Sequence, residues 1–593
     1  VTAVGRADSS SAACATLTDY NGSIGLKAWV SRSVLDPAGT APTLNGSSGA
    51  VSLPDAEPGS GTNLSLDFNS GVADTQWITT DVGQYSLQLK DDSSGIVVDT
   101  NNNPLPVVGS SATWTVRPFA FYLNPLGNPG AVDANGGAYV RAGEDFTLNV
   151  TAVRYQAADD TDGDHQADAG ADLSDNAVTP AFGNEGGGST ESVSLTGTLQ
   201  LPTGTGTNDP GLAGGTTVTG FSGGSAGTAI NYPEVGIIDI QGQLADGSYL
   251  GMANVLGQVN NVGRFYPASF AVSDNGPISL RDGNGAWSCG FTYQGQDFGF
   301  TLEPAITVVA RNLNGDTTQN YGGNFWKLAL LQHSISLDLA SVTGTTCETA
   351  GAITSGCFSE NSGSVSRSWN NSHNDYDGAA TFSTGLHQLT INKLNPVPNS
   401  GDVPFSPSVS YSLNTAQLTD TDGACYDTGS GCGPYSIGAI NGTEIRWGRG
   451  WVDNAVGSIL TPLPMTLRLQ YWNSAQQFQL NPEDDFIGCA GTAAITSDMA
   501  LSGYSGQLSA GETAPGGIAA QPGFHVLTLT APGYGGTAVS TANTGSVRVT
   551  WNLDAWLRYD FDGDGTLDAP SGVATFVGPA DNQPVLFRRE VFR

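Results

Sequence analysis

Charge is scarce in this sequence, and positive charge most of all. Only 13% of the 593 residues are Asp, Glu, Lys or Arg, and the 21 cations include four lysines, Lys27, Lys90, Lys327 and Lys393. Soluble proteins average about 25% charged residues, and long helices lean on paired Glu and Lys, so a helical bundle or coiled coil is excluded. The 55 acidic residues leave a net charge of −34, which repels phosphate backbones and anionic lipid headgroups, so no nucleic-acid partner is expected. No run of 18 apolar residues occurs, and no membrane insertion is expected. The seven cysteines form no Cys-x-x-Cys and there are five histidines, so a structural zinc site lacks its ligands. The chain opens on Val1 with neither Met nor a charged-then-apolar leader, which reads as a mature or trimmed product.

What is abundant is glycine, 80 residues, nearly double the usual ~7%. Hydrophobic residues at 39%, with 11 Trp, 18 Tyr and 22 Phe, are enough to build apolar cores. At roughly 150 residues per domain, the length implies about four domains. Short β-branched or aromatic runs with period two recur between Gly, Asn, Asp and Pro, as in 26–30, 85–90, 112–116, 146–153, 306–310, 465–472, 526–530 and 546–551. This pattern predicts an all-β, elongated tandem of immunoglobulin-like or β-sandwich modules with long Gly/Ser/Thr-rich loops. The stretch 186–228 is expected to be such a loop region. Asp81-Val-Gly83-Gln-Tyr85 matches the corner of immunoglobulin-like domains, in which a tyrosine hydroxyl bonds back to the backbone.

An internal echo supports tandem construction. Arg117-Pro-Phe-Ala-Phe121 precedes Gly143-Glu-Asp-Phe146, and Arg264 to Phe270 precedes Gly295-Gln-Asp-Phe298 and the strand 306–310. The expected modules are 1–117, 118–263, 264–415 and 416–593, the second and fourth each carrying an acidic loop.

Those loops hold the chemistry. In Asp160-Thr-Asp162-Gly-Asp164-His-Gln166-Ala-Asp168 and Asp560-Phe-Asp562-Gly-Asp564-Gly-Thr566-Leu-Asp568, Asp fills positions 1, 3, 5 and 9 of an EF-hand-style loop. Alternate carboxylates, with the carbonyl of Gln166 or Thr566 at position 7, supply the oxygen ligands that structural calcium prefers. Neither loop has a Glu at position 12; Asp172 or Asp175 could complete the first. Asp420-Thr-Asp422-Gly-Ala-Cys425-Tyr-Asp427 is a poorer third candidate.

Cys347 with Cys357, and Cys425 with Cys432, bracket short loops and are the expected disulfides in an oxidising compartment. Cys14 is the odd cysteine, and the pairing of Cys289 and Cys489 stays open. No enzyme is expected. Gly223-Gly-Ser225-Ala-Gly227 has the nucleophile pattern without its strand-to-helix context, and the histidines are scattered. Trp447-Gly-Arg449-Gly-Trp451 would place two indoles and a guanidinium on one strand face, a candidate surface contact for sugars; strand tryptophans more commonly pack in the core.

Several runs together resemble MshQ-type proteins of the mannose-sensitive haemagglutinin type IV pilus system. They are Glu444-Ile-Arg446-Trp-Gly-Arg449-Gly-Trp-Val-Asp-Asn454, Leu463 to Asn473, Val116-Arg-Pro-Phe119, Val262-Gly-Arg264-Phe-Tyr-Pro267, Phe291-Thr-Tyr293, and the ending from Trp556 to Val591. Their order from about Arg117 onward resembles the carboxy-terminal region of that family. The resemblance implies a secreted or cell-surface protein, structural or adhesive, associated with a type IV pilus; it brings no catalytic residues. Its partners would be pilus or other surface components, copies of itself, or glycans. The competing readings are a fibre subunit that self-assembles by β-strand addition, with Cys14 as a covalent link, and a carbohydrate-active or carbohydrate-binding protein.

Overall fold

The computed structural model describes residues 1–6, 13–188, 190–282, 289–329, 334–338, 348–349, 352–353, 357–361, 370–372, 375–383, 388–484, 496–533 and 543–578. Among these residues the regular structure is strand, with a few 3-10 turns and no α-helix. The strands form tandem β-sandwich modules, each with its own apolar core. Every one of the eight sequence-predicted strand segments falls on an observed strand, including Phe146–Val153 to the residue.

In the first module the central sheet orders Trp114–Val116, Gly83–Asp91, Gly22–Arg32 and Leu64–Phe68. Gly22–Arg32 turns Leu26, Ala28 and Val30 inward against Leu64, Leu66 and Tyr85, with Lys27 between them also buried. Tyr85 is buried, but its hydroxyl has no partner among the described residues, so the expected corner bond to the backbone is not made. Asp81 of that motif instead accepts from the backbone N–H of Ala181 at 3.1 Å, tying the first module to the second.

The second module packs one four-stranded sheet, Ala120–Pro125, Phe146–Val153, Ser225–Asn231 and Ala213–Gly214, on another, Thr217–Val218, Val193–Leu201, Gly236–Leu244 and Leu256–Phe265. The Gly/Thr/Ser-rich stretch 186–228 is therefore not an irregular arm. It supplies strands to both sheets, with Val193, Leu195, Val218 and Phe221 in the core.

The third module repeats the opening. Ser269–Asp274 pairs antiparallel with Ala305–Arg311 as Ala120–Pro125 pairs with Phe146–Val153. Asp297–Phe300 belongs to the opposite sheet, so Ala305–Arg311 alone is the counterpart of Phe146–Val153. The expected break at 415/416 is displaced: Ser408–Leu413 pairs with Tyr435–Ile440, so the third module runs to residue 440. A Pro-rich segment precedes a strand there without ending the sheet.

The fourth module closes on two sheets, one containing Gly448–Val452, Leu463–Trp472, Phe524–Leu529 and Pro515–Gln521, the other Ala455–Ser458, Ser571–Val577, Gly545–Trp551 and Met499–Gly506. Its core includes Phe291 and Tyr293 from the third module, whose strand pairs in parallel with Glu444–Arg446.

Candidate metal centres and the adjoining surfaces

Both acidic loops fold back on their first residue in the same way. Asp160 Oδ1 accepts from the N–H of Gly163 (2.9 Å) and Asp164 (3.1 Å), and its Oδ2 from His165 (3.2 Å). Asp560 Oδ1 accepts from Gly563 (2.6 Å) and Asp564 (3.2 Å), and its Oδ2 from Gly565 (3.0 Å). Positions 4 and 6 are left-handed in each: Gly163 at φ 74° and His165 at 63°, Gly563 at 80° and Gly565 at 87°. Such a turn favours glycine, and the first loop sustains it at His165 with an ordinary side chain. The first carboxylate of each loop is buried, those at positions 3 and 5 are exposed, and Asp168 and Asp568 at position 9 are half-buried.

The turn gathers oxygens. Ligand atoms of Asp560, Asp562, Asp564 and Asp568 lie within 4.8 Å of one another, and so do those of Asp160, Asp162 and Asp168. Asp164 stands apart from the first group, accepting from the N–H of Gln166 at 2.8 Å and from its side chain at 3.3 Å. Thr566 Oγ1 donates to Asp564 Oδ1 at 2.6 Å, and this bond with the Thr566 N–H holds the Asp564 carboxyl below its ordinary pKa. Asp168 is lowered in the same sense by the Thr161 hydroxyl and N–H. Carboxylate oxygens at this spacing are the donor type that a hard cation takes.

Asp420 and Asp422 do other work. Arg264 clasps Asp422 through both terminal nitrogens at 2.5 and 2.6 Å, and the Tyr321 hydroxyl donates to Asp420 at 2.7 Å. The third acidic candidate is thus a buried polar joint within the third module's entry. Cys425 and Cys432 are disulfide-bonded, as expected. Cys357 is also disulfide-bonded, as is Cys289; Cys347 and Cys489 lie outside the described residues, so the expected pairing of Cys347 with Cys357 is not addressed. Cys14 is a free, exposed thiol.

Trp447 is buried to 1% exposure, so it cannot share a surface platform with Trp451. The Nζ of Lys393 stands 3.6 Å over its ring and donates to the carbonyls of Gly448, Trp556 and Arg558. Arg449 stacks on Phe478 at 3.4 Å and also faces Trp451 and Tyr559. Burial lowers the Arg449 pKa to about 10. Phe561, second residue of the 560–568 loop, reaches Trp451 at 5.9 Å and remains exposed. The second acidic loop is therefore seated on an aromatic and cationic cluster that cross-links the fourth module to Lys393 of the third.

Ser225 opens a strand and shares a 3.0 Å hydrogen bond with Thr151, a hairpin setting without an elbow. His525 is buried, which lowers its pKa to about 4, and His165 is exposed; the other three histidines lie outside the described residues.

Sequence reasoning passed over a cleft of about 350 Å³ beside the first acidic loop, where residues 166–171 form one wall and outward residues of the sheet Val193–Leu201, Gly236–Leu244 and Leu256–Phe265 form the floor. Its signal was present as the alternating amides of Gln241, Gln243, Gln258 and Asn260.

Fold and loops together define a tandem β-sandwich protein with paired acidic loops. Residues 117–231 match the family model DUF6701, second domain; 234–437 match DUF6701, third domain; and 446–591 match DUF6701, fourth domain. The chain belongs to the DUF6701 family, carrying these domains in order over most of its length. The family boundary at 231/234 falls between two strands of the second sandwich, whereas that at 437/446 coincides with the end of the third. Comparison with curated proteins finds no match. Among solved structures the chain is similar to invasin, a bacterial integrin-binding protein, at 10% identity and TM-score 0.20, covering 77% of this chain and 60% of that one. It is similar to an I9-I11 tandem from titin at 5% identity and TM-score 0.17, covering 74% and 95%. Domains 4-9 of the surface layer protein SbsC match at 10% identity and TM-score 0.14, covering 91% and 58%.

Proposed function

We propose that this chain is a secreted or cell-surface structural and adhesive protein, of the MshQ type and associated with a type IV pilus, whose modules are stiffened by calcium. The observation that carries the reading is the shared geometry of the two acidic loops. Two sequences in different modules reach the same backbone turn and the same bonds to the first Asp, with carboxylates converging to within 4.8 Å. Like charges so close repel, and a divalent cation removes that penalty. Repeated sandwiches with interlocked junctions would transmit force along the chain, and a surface poor in lysine and rich in carboxylate suits the exterior of a cell.

Co-sedimentation of the purified chain with sheared type IV pili, in about 1 mM calcium and in excess chelator, tests the reading. Calcium-dependent pelleting with the pili is expected; a chain that stays in the supernatant under both conditions contradicts it.

The free, exposed Cys14 favours a second reading, a fibre subunit that assembles by β-strand addition and in which Cys14 links neighbouring chains in covalent pairs. Non-reducing electrophoresis after mild oxidation would then show a dimer that Cys14→Ser abolishes.

A further inference from the structure

The floor of the cleft beside the first acidic loop is built by strand alternation. Val193, Leu195, Ile238 and Ile240 turn into the core. Thr196, Gln241 and Gln258 turn outward and stand in one row, because Thr196 is registered with Gln241 and Gln241 with Gln258. Neighbours in that row are about 4.8 Å apart. Gln243 and Asn260 extend the amide surface, all of these side chains are exposed, and Gln166 faces them from the loop wall.

The charged residues at the rim are already engaged. Arg117 donates to the carbonyls of Pro118, Phe119 and His165, and Asp168 accepts from the N–H and hydroxyl of Thr161. Gln258 donates to Asn260 Oδ1, Asn254 to Gln243 Oε1 and Gln166 to Asp164, and since an amide has two N–H donors and two acceptor lone pairs, the hydrogen-bonding capacity left to a ligand is neutral and two-sided. Phe119 lies beneath the surface, so the cleft offers no broad aromatic face.

We propose that this cleft binds a neutral, polyhydroxylated ligand, a segment of an uncharged oligosaccharide. Sugar hydroxyls donate and accept in turn, as the amide row requires. A ligand anion would meet the −34 charge of the chain, and the carboxylate lining the cleft, Asp168, belongs to the acidic loop's own converging group. The volume suits one or two sugar rings, within the range of small-ligand sites. Binding by hydrogen bonds without stacking is weak per site, so it serves attachment through many copies. The inference rests on the reading of the chain as a surface-binding protein and names where it binds.

Saturation-transfer NMR of the full chain with cellohexaose, xylohexaose and N-acetylchitohexaose, each at about 10 mM to reach millimolar affinities, tests it, with hexagalacturonate as the anionic control. At least one neutral sugar is expected to bind. Gln241→Ala with Gln258→Ala should weaken it by about two- to tenfold per amide, with thermal unfolding unchanged. Arg468→Ala, at the far module, should leave binding intact. Silence from all three neutral sugars, equal binding by the double variant, or preference for hexagalacturonate overturns the inference. If the cleft fails while calcium still raises the unfolding temperature, the calcium-stiffened reading stands alone; if sugar binds equally in chelator, the cleft stands without it.

Discussion

Glu191 shows how a single buried group sets a pH response. Among the described residues its carboxyl accepts one long 3.4 Å bond, from the N–H of Leu250, and desolvation, with Glu185 and Asp246 nearby, raises its pKa to about 7. The folded state thus holds a proton that the unfolded chain releases near the ordinary glutamate value. This group's contribution is intact at low pH and is lost as pH rises through about 7. Glu191→Gln should flatten the fall in unfolding temperature between pH 5 and 8, measured as wild type minus variant; an unchanged slope contradicts the assignment. At Arg264, which is 5% exposed and whose guanidinium clasps Asp422, replacement by Met leaves an uncompensated buried carboxylate. A loss of about 3 kcal/mol in chemical denaturation is expected, as for a broken buried ion pair, and a loss below about 1 kcal/mol would mean the pair is solvated. Neither partner was legible as a pair: Arg264 and Asp422 are 158 residues apart, and in sequence Asp422 reads as one more ligand in an acidic run.

Elements were legible where a local period decides them. Phe146–Val153 alternates so regularly that its bounds follow from the sequence alone, and the Asp spacing of the two loops specifies the turn they adopt. Long-range pairing was not legible: 186–228 is rich in Gly and Thr, which reads as loop, yet its strands are held by partners near residues 148 and 240. The third module carries a smaller turn directly after Ala305–Arg311, where Asn312 accepts from the Asn314 and Asp316 N–H groups at 3.0 and 2.9 Å around the left-handed Gly315. Asn replaces Asp at its first and third positions, so this turn lacks the carboxylates that converge in the other two. Left-handed backbone is the weak point of the acidic loops. Gly565 has open space around its Cα, so Gly565→Ala strains only the backbone and should cost about 1 kcal/mol. Chemical denaturation of the variant in chelator measures it; no change would place the turn outside the folded unit.

At the scale of the whole molecule, the junctions are built from inserted side chains rather than linkers. Tyr293 of the third module is wholly buried in the fourth, donating to Asp484 at 2.9 Å and accepting from Asn481 at 2.7 Å. Lys393 crosses the same junction with three carbonyl acceptors, and burial drives its pKa well down. Lys393→Met strands those carbonyls, so calorimetry should show one shared transition of the third and fourth modules dividing into two. The all-β tandem construction could be read from composition and echo, but the interlocking of modules could not, since Lys393, Trp447 and Trp556 are apolar or isolated residues until the fold brings them together.

Calcium binding at the two loops is the claim on which the stiffened-rod account depends. Equilibrium dialysis of the full chain against ~1 mM calcium tests it most directly. Two bound ions per chain are expected, with one remaining in a variant carrying Asp562→Asn and Asp564→Asn. No stoichiometric calcium on the wild-type chain, or two ions retained by that variant, would contradict it.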